Sequence, residues 1–450
     1  MTDDKKPYDV LVVGAGYAGL TAAYELIKAG KTVLLLEARD RVGGRVHTQR
    51  FDDGSYVDLG GAWVGPTQDR LYALGRTFSV DTFPTYDTGK STQYFRGKVK
   101  RYKGLIPPLP LFSLLSLDAA IKRINKLSKT VDLAEPWNTP NARQLDSQTL
   151  ADWMNGQMGY ETARQFFTIA VGAIWAADPA DFSLLHALFY IRSGRDLDTL
   201  MNVKNGAQAE RFVGGAQTIA DRMAATFADR IVFNAPVRTI NQTDAQVEVT
   251  TDTTTYRASR VVVAIPPALQ ADIRFEPALP PQRQQLMTQL PMGAVWKCYA
   301  IYDRPFWRDQ GLNGLAATPD GPISVTFDNS PRDGSQGILM GFVLGSKARD
   351  FSLLSDNERR ASALQSFATF FGPEAARPRR YLDHSFLNEA WSKGCYAAVP
   401  QPGFWTSAGP ALRQPVGRIH WAGTETSDVW NGYIEGAVRS GERVAREVTD

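Results

Sequence analysis

The sequence has almost no cysteine: Cys298 and Cys395 are the 2 in 450 residues. A chain of this length cannot be held by so few disulfides, and a reducing, cytoplasmic setting is the expectation. An excess of one charge is missing as well. The 50 basic residues stand against 47 acidic ones, a net charge of +3, which gives no electrostatic case for nucleic acid or a membrane surface. Local basic runs such as Arg96 to Lys103 read as solvated surface. No later apolar run reaches the roughly 20 residues that span a bilayer, and the polar start MTDDKKPYD carries no signal-peptide core. A soluble protein follows as the expectation. The histidines, His47, His186, His384 and His420, show no metal-ligand spacing, and there is no GxSxG elbow. Neither a metal mechanism nor a serine nucleophile has support.

What is present begins at Tyr8. Val10 to Val13 form a short β-branched run, followed at once by Gly14, Gly16 and Gly19, the order of a buried strand opening into a helix. Gly14 permits the tight turn, Gly16 lets backbone approach a pyrophosphate, and Gly19 lets the helix pack on the strand. The helix N-terminus adds unpaired N–H groups. Gly30 stops the helix, a second strand runs from Thr32 to Leu36, and Glu37 stands 37 − 14 = 23 positions after the first glycine, placed to accept from ribose hydroxyls. The pattern therefore predicts a bound dinucleotide. Beyond Glu37, a second glycine pair, Gly43 and Gly44, is flanked by Arg39, Arg41 and Arg45, which bring further N–H groups and positive charge to the same diphosphate. Gly60 and Gly61 mark another close backbone approach, with a flavin ring the obvious candidate.

A length of 450 residues exceeds what a single core usually supports, so two domains are expected, and the motifs interleave them. Residues 1–80, 208–290 and 388–450 are read as the cofactor domain, 81–207 and 291–387 as the substrate domain. Thr82 to Lys103 alternate as a hairpin. Leu114 to Leu127 and Ser147 to Ile191 carry helical spacing, with Phe166, Phe167, Ile174 and Trp175 most simply core. Strands are expected around Val247 and Tyr256, then separately at Arg260 to Ile265. Met292 to Trp307 and Ile338 to Leu344 return to strand-like patterning, Arg418 to Gly423 is a short strand, and an amphipathic helix is expected from Asn431 to Val448, opening at Gly432-Tyr433.

Across most of its length the chain resembles the flavin amine oxidase family, closest to monoamine oxidase. The pieces that carry the resemblance are VVGAGYAGLTAAYEL with LLEARDRVGGR, DLGGAWVG, FVGGAQTIADRM, VVVAIPP, MGAVWKCY, GCYAAVPQPG and RIHWAGTETSDVWNGYIEGAVRSGERVAREV. The resemblance implies an α/β fold: a glutathione-reductase-type FAD-binding Rossmann domain interleaved with a substrate domain of mixed sheet and helices. It implies oxidation of an amine to an imine, with dioxygen taking the electrons and hydrogen peroxide released. FAD contacts are then expected from Gly14, Gly16, Gly19, Glu37, Arg39, Gly44, Arg45, Gly60, Gly61, Val237, Gly423, Thr424 and Glu425. Tyr396 and Tyr433 fall where monoamine oxidases place two facing tyrosines before the flavin, and their π faces would flank the amine. Lys297 falls where the family has a lysine bound through water to flavin N5, and its charge would stabilise superoxide. Gln208 matches a glutamine of the substrate cavity, with Ile174, Leu200 and Phe342 as further candidates. Cys395 matches the cysteine that forms a thioether with the flavin 8α-methyl group in mitochondrial enzymes; a buried free thiol beside unattached FAD is the other reading. Where the family often has a tryptophan near the flavin, this chain has Phe386.

The expected partners are a primary amine with an apolar body and dioxygen, with the protein a monomer or homodimer. A carbon–carbon desaturase of the same fold would not need Lys297 with both tyrosines. An amino-acid oxidase would need a pocket arginine for the substrate carboxylate, and a diamine oxidase an acid at the far end of the cavity. No residue is assignable to either role. A flavin-binding scaffold or sensor without turnover is the reading from another class.

Overall fold

The computed structural model of the chain describes residues 7–449. The first six residues, part of the polar start noted above, and Asp450 lie outside the described residues. Tyr8–Val13 is a strand whose last four residues are buried, and Val33–Leu36 is buried throughout. They pair in parallel, with Tyr17–Lys28 as the helix between them. Gly30, at φ +79°, turns the chain out of that helix. This unit is the centre of a mixed sheet of eight strands whose order runs Ile231–Val232, Val33–Leu36, Tyr8–Val13, Thr255–Val263, Val247–Thr251, Val237–Gln242, Arg274–Glu276, while Ile419–Trp421 also pairs with Thr255–Val263.

Thr255–Val263 differs from expectation. The two strands anticipated around Tyr256 and from Arg260 are one. Thr255 to Ala258 pair antiparallel with Val247–Thr251, and Ala258 to Val263 pair in parallel with Tyr8–Val13. Arg257 and Arg260 sit on a strand whose partners change along its length. The C-terminal helix also begins later, at Ile434, running to Thr449. Gly432 has φ +82°, outside the helical region, so the segment before the helix is a turn. That helix packs its buried face (Val438, Gly441, Val444, Ala445, Val448) across Tyr17–Lys28. At Gly441 a side chain would strike the Ala18 carbonyl at 2.5 Å, so the two helices meet backbone to backbone.

A second sheet of seven strands runs Arg380–His384, Val295–Tyr302, Gly337–Leu344, Val325–Asp328, Leu312–Ala317, Lys90–Phe95, Lys98–Tyr102. Lys90–Phe95 and Lys98–Tyr102 are the expected hairpin, turned at Arg96 and Gly97, both at positive φ. Val295–Tyr302 and Gly337–Leu344 are buried at every position. Such continuous burial differs from the strand-like alternation expected of these segments, because both faces of the strands are covered. Helix Glu161–Trp175 lies against strand Gly337–Leu344 of this sheet, Leu111–Ser128 packs on that helix and on Leu184–Ser193, and the buried residues of the three helices form a core with Trp405 and Trp430.

Candidate functional site

One cavity of about 340 Å³ joins both sheets and the helices. One end is built by the glycine turn. Gly14 holds φ +100°, and a side chain there would meet Ile265 at 2.8 Å; at Gly16 a Cβ would touch nothing within 4 Å and would stand in the open cavity. Gly43 bridges to Gly16, and its amide donates to the Ala15 carbonyl. Two glycine loops thus face the same space across their bare backbones. Glu37 accepts from the Ala15 amide at 2.7 Å and the Arg39 amide at 2.9 Å. Its carboxylate therefore ties the glycine turn to the next loop while lining the cavity. Val237 and Arg238 continue this wall.

Arg45 marks the passage to the other end. Its guanidinium donates to the Tyr396 carbonyl at 2.8 Å and to Glu425 at 2.7 Å. Glu425 is buried; burial pushes its carboxyl up, but the adjacent Arg45 charge and hydrogen bonds outweigh that and hold it below its ordinary value. A neutralised arginine beside bare glycine backbone suits a diphosphate, whose remaining charge the N–H groups of the helix end can take. The donor set, the open glycine turn and the acid after the second strand fit a dinucleotide.

At the far end Lys297 projects from Val295–Tyr302. Buried to 4 % exposure, its ammonium donates to the carbonyls of Asp58 at 3.0 Å and of Gly60. Trp63 and Phe342 rings lie 5.6 and 5.5 Å from Nζ. Burial pushes its pKa down to about 8, against the opposing charge of Asp58. Tyr396 and Tyr433 both line the cavity, each braced by different rings. Tyr396 meets Phe342 edge to face at 6.3 Å; Tyr433 meets Trp430 at 4.8 Å and Tyr190 at 5.8 Å. Burial raises both phenols, so both are neutral at physiological pH.

Nearly all the residues singled out from sequence meet at this cavity. Gly14, Gly16, Glu37, Arg39, Gly44, Arg45, Gly60, Gly61, Val237, Cys395, Gly423 and Thr424 line it, as do Ile174, Leu200, Gln208, Lys297, Phe342, Tyr396 and Tyr433. Gly19 and Glu425 do not. Gly19 sits behind the turn, where a Cβ would strike the Gly14 carbonyl at 1.9 Å, so it acts on packing alone. Glu425 is a correction to the expectation of direct cofactor contact: its oxygens are spent on Arg45 and the Ala398 amide. Phe166, Phe167 and Ile174, read as core, reach the cavity, whereas Trp175 stays in the helical core. Gln208 donates to the Leu200 carbonyl at 3.2 Å, leaving Oε1 buried without a partner. Cys395 is a buried thiol, pushed up to about 11 by burial. Phe386 packs in the same cluster as Cys395.

Among the lining residues that escaped the sequence reading are Trp63, Tyr190 and Trp391. Trp63 lay inside a quoted motif, but only the fold turns its ring towards Lys297. Tyr190 sits on a helix whose face is buried nearly all round, so no periodicity separates a cavity residue from a core one. The Gly432 position carries the signal that could have found it, since a Cβ there would meet the Tyr190 hydroxyl at 2.5 Å.

A glycine turn, a ribose-side acid, a neutralised arginine and an enclosed apolar end with one buried lysine define a dinucleotide-dependent oxidoreductase. The family model for flavin containing amine oxidoreductases matches residues 17–449. The chain belongs to that family: it is a flavoenzyme that holds FAD and oxidises amines. It is 44 % identical over 440 residues to the flavin-containing monoamine oxidase homologue AofH of Mycobacterium tuberculosis, covering 98 % of this chain and 96 % of that one. A flavin-containing amine oxidase of Danio rerio is 37 % identical over 446 residues, covering 98 % of this chain and 85 % of that one. Among solved structures, wild-type putrescine oxidase bound to putrescine superposes with a TM-score of 0.95 at 34 % identity, covering 99 % of both chains. Cyclohexylamine oxidase from Brevibacterium oxydans gives 0.94 at 33 %, covering 98 % of this chain and 99 % of that one. The fold is accordingly that of the flavin amine oxidases, an α/β cofactor unit joined to a mixed-sheet and helical part.

Proposed function

We propose that the substrates are primary amines with an apolar body, oxidised to imines that water converts to an aldehyde or ketone and ammonia. Dioxygen takes the electrons: RCH2NH2 + O2 gives RCH=NH + H2O2. The observation that carries the substrate reading is that, among the described residues, no acid lines the cavity's substrate end. Leu105, Ile106, Leu117, Ile121, Phe166 and Ile169 line it there, and the carboxylates on the cavity wall, Glu37 and Asp272, belong with Val237 and Arg238 at the dinucleotide end. Each buried methylene gains about 0.8 kcal/mol, so a cyclohexyl or phenyl body gains several kcal/mol. A second ammonium placed there would lose its hydration with no counter-charge. This favours a monoamine over the diamine of the putrescine oxidase neighbour. No arginine lines the substrate end either, which argues against an amino-acid carboxylate.

FAD would be held by Gly14, Gly16, Glu37, Arg39, Gly44 and Arg45, and when bound it supplies the acceptor for a hydride from the amine α-carbon. Tyr396 and Tyr433 would hold the neutral amine between their ring faces, which orients its α C–H bond. The apolar wall excludes water and favours the uncharged amine, whose lone pair assists hydride loss. Lys297 carries the positive charge nearest this end, and two backbone carbonyls fix its ammonium without neutralising it. It would stabilise the anion that oxygen becomes on taking up an electron.

A panel of benzylamine, cyclohexylamine and putrescine, assayed for peroxide, tests the reading. Benzylamine or cyclohexylamine is expected to give the higher kcat/KM, and a clear putrescine preference overturns the apolar-body assignment. Without oxygen, each accepted amine bleaches the flavin absorbance; no bleaching with any amine sinks turnover altogether.

A further inference from the structure

A second titratable group stands beside Lys297 with no part in the chemistry above. His384 is the register partner of Lys297 across the antiparallel strands Val295–Tyr302 and Arg380–His384. Directly opposed residues project from the same face of a sheet, so imidazole and lysine are neighbours. The Nε2 of His384 lies 3.4 Å from Glu389 Oε1. That nitrogen is buried yet makes no hydrogen bond, and the same holds for Nδ1 of His47. The two imidazole rings meet edge to face at 6.2 Å. Glu389 keeps 28 % side-chain exposure and His384 20 %, so the group steps from solvent at Glu389 to the buried lysine.

The surrounding charges decide the resting state of His384. Burial disfavours its cation most; Glu389 and Asp383 favour it, whereas Arg41 and Lys297 oppose it. Arg39 faces Glu389 at 2.9 Å and Glu37 at 3.8 Å, so its charge is offset. His47 is pushed down to about 4, by burial first and then by Arg41 and His384. His384 therefore rests neutral. With the Glu389 carboxylate at Nε2, the tautomer that carries its proton there is favoured, which leaves Nδ1 as the acceptor. Lys297 spends two N–H bonds on the carbonyls of Asp58 and Gly60; its third is unclaimed by them.

We propose that Glu389 and His384 form a carboxylate–imidazole pair that passes protons between solvent and Lys297. His384 is then a positioning residue that acts through the lysine. The step moves a proton only. Charged Lys297 gives a proton to Nδ1 of His384 as Nε2 releases its own to water at the Glu389 side; the same transfer run backwards recharges the lysine, and no electrons are transferred. This rests on the assignment of Lys297 to the oxygen reaction, since peroxide formation consumes protons in an enclosed site.

The test uses holoenzyme whose flavin is reduced with dithionite, so no amine is needed. Mixed with aerated buffer, wild type is expected to regain flavin absorbance quickly. His384→Gln is expected to be slowed about tenfold, less than the roughly 100-fold or more of direct acid–base catalysis because His384 acts through the lysine, and to be restored by added imidazole. Glu389→Gln is expected to be slowed less. Unchanged reoxidation of His384→Gln, or slowing that imidazole does not relieve, overturns the pair. If wild type and Lys297→Met are reoxidised equally slowly, the oxygen role of Lys297 falls with it. A readout independent of turnover is the NMR titration of the His384 ring in oxidised holoenzyme. Its midpoint is expected to rise in Lys297→Met and fall in Glu389→Gln, and no movement in either variant refutes the coupling.

Discussion

Lys297 offers a prediction that can be worked in numbers. Its pKa of about 8 means that roughly 90 % of the side chain is charged at pH 7 and roughly 10 % at pH 9 by simple titration. If the charge carries the oxygen reaction, reoxidation of reduced enzyme falls about ninefold across that interval along one ionisation. Lys297→Met should lie flat with pH, on the order of 100-fold slower, the cost typical of a lost charge-stabilising donor. The sign is checked through folding as well. The folded pKa lies below the unfolded value of about 10.4, so the unfolded chain binds the extra proton between the two, and Lys297 adds about 3 kcal/mol to stability as pH rises through that window. Below pH 8 both states are protonated and this contribution is absent. Stopped-flow recovery of flavin absorbance from pH 6 to 10 reads the kinetic part. A rate that is flat with pH in wild type, or Lys297→Met reoxidised as fast as wild type, refutes the reasoning.

Gly16→Val would put a side chain into the open space where the dinucleotide backbone passes; the expected result is folded protein purified largely without flavin, read from the ratio of flavin to protein absorbance. Gly432→Ala asks a Cβ to sit 2.5 Å from the Tyr190 hydroxyl at φ +82°, combining backbone strain of about 1 kcal/mol with overpacking of about 1–3 kcal/mol. It should displace Tyr190 and Tyr433 together, lowering kcat/KM for benzylamine while flavin content is kept. Glu425→Leu leaves Arg45 buried without its counter-charge and should destabilise the protein by about 3–5 kcal/mol, seen as a lower melting temperature.

The dinucleotide end was legible because its determinants are local. A strand, three glycines, a helix and an acid lie within 30 residues of one another, and each is demanded by backbone geometry. The hairpin turned at Arg96-Gly97 was legible for the same reason. Thr255–Val263 was not read as one strand, because its continuity depends on partners that change along it. The roles of Tyr190 and Glu425 were hidden for a related reason: the first is set by contact with Gly432 and Tyr433, the second by Arg45, 380 positions away. Local pattern reports which side chains are buried, not which of them face an internal space.

The bonds from Lys297 to Asp58 and Gly60 close loops of 239 and 237 residues. Contacts of such separation pay a large loop-closure entropy before they are rewarded, and they form late in folding. The glycine turn and its acid, by contrast, can organise from the first few dozen residues. The rest of the cofactor end is no more local than the lysine: Arg45 is held by Tyr396 and Glu425, 351 and 380 positions away. Cofactor grip and lysine charge are thus both products of the finished fold, and a lesion far from the cavity that weakens the joining of the distant segments should lower flavin content and turnover together.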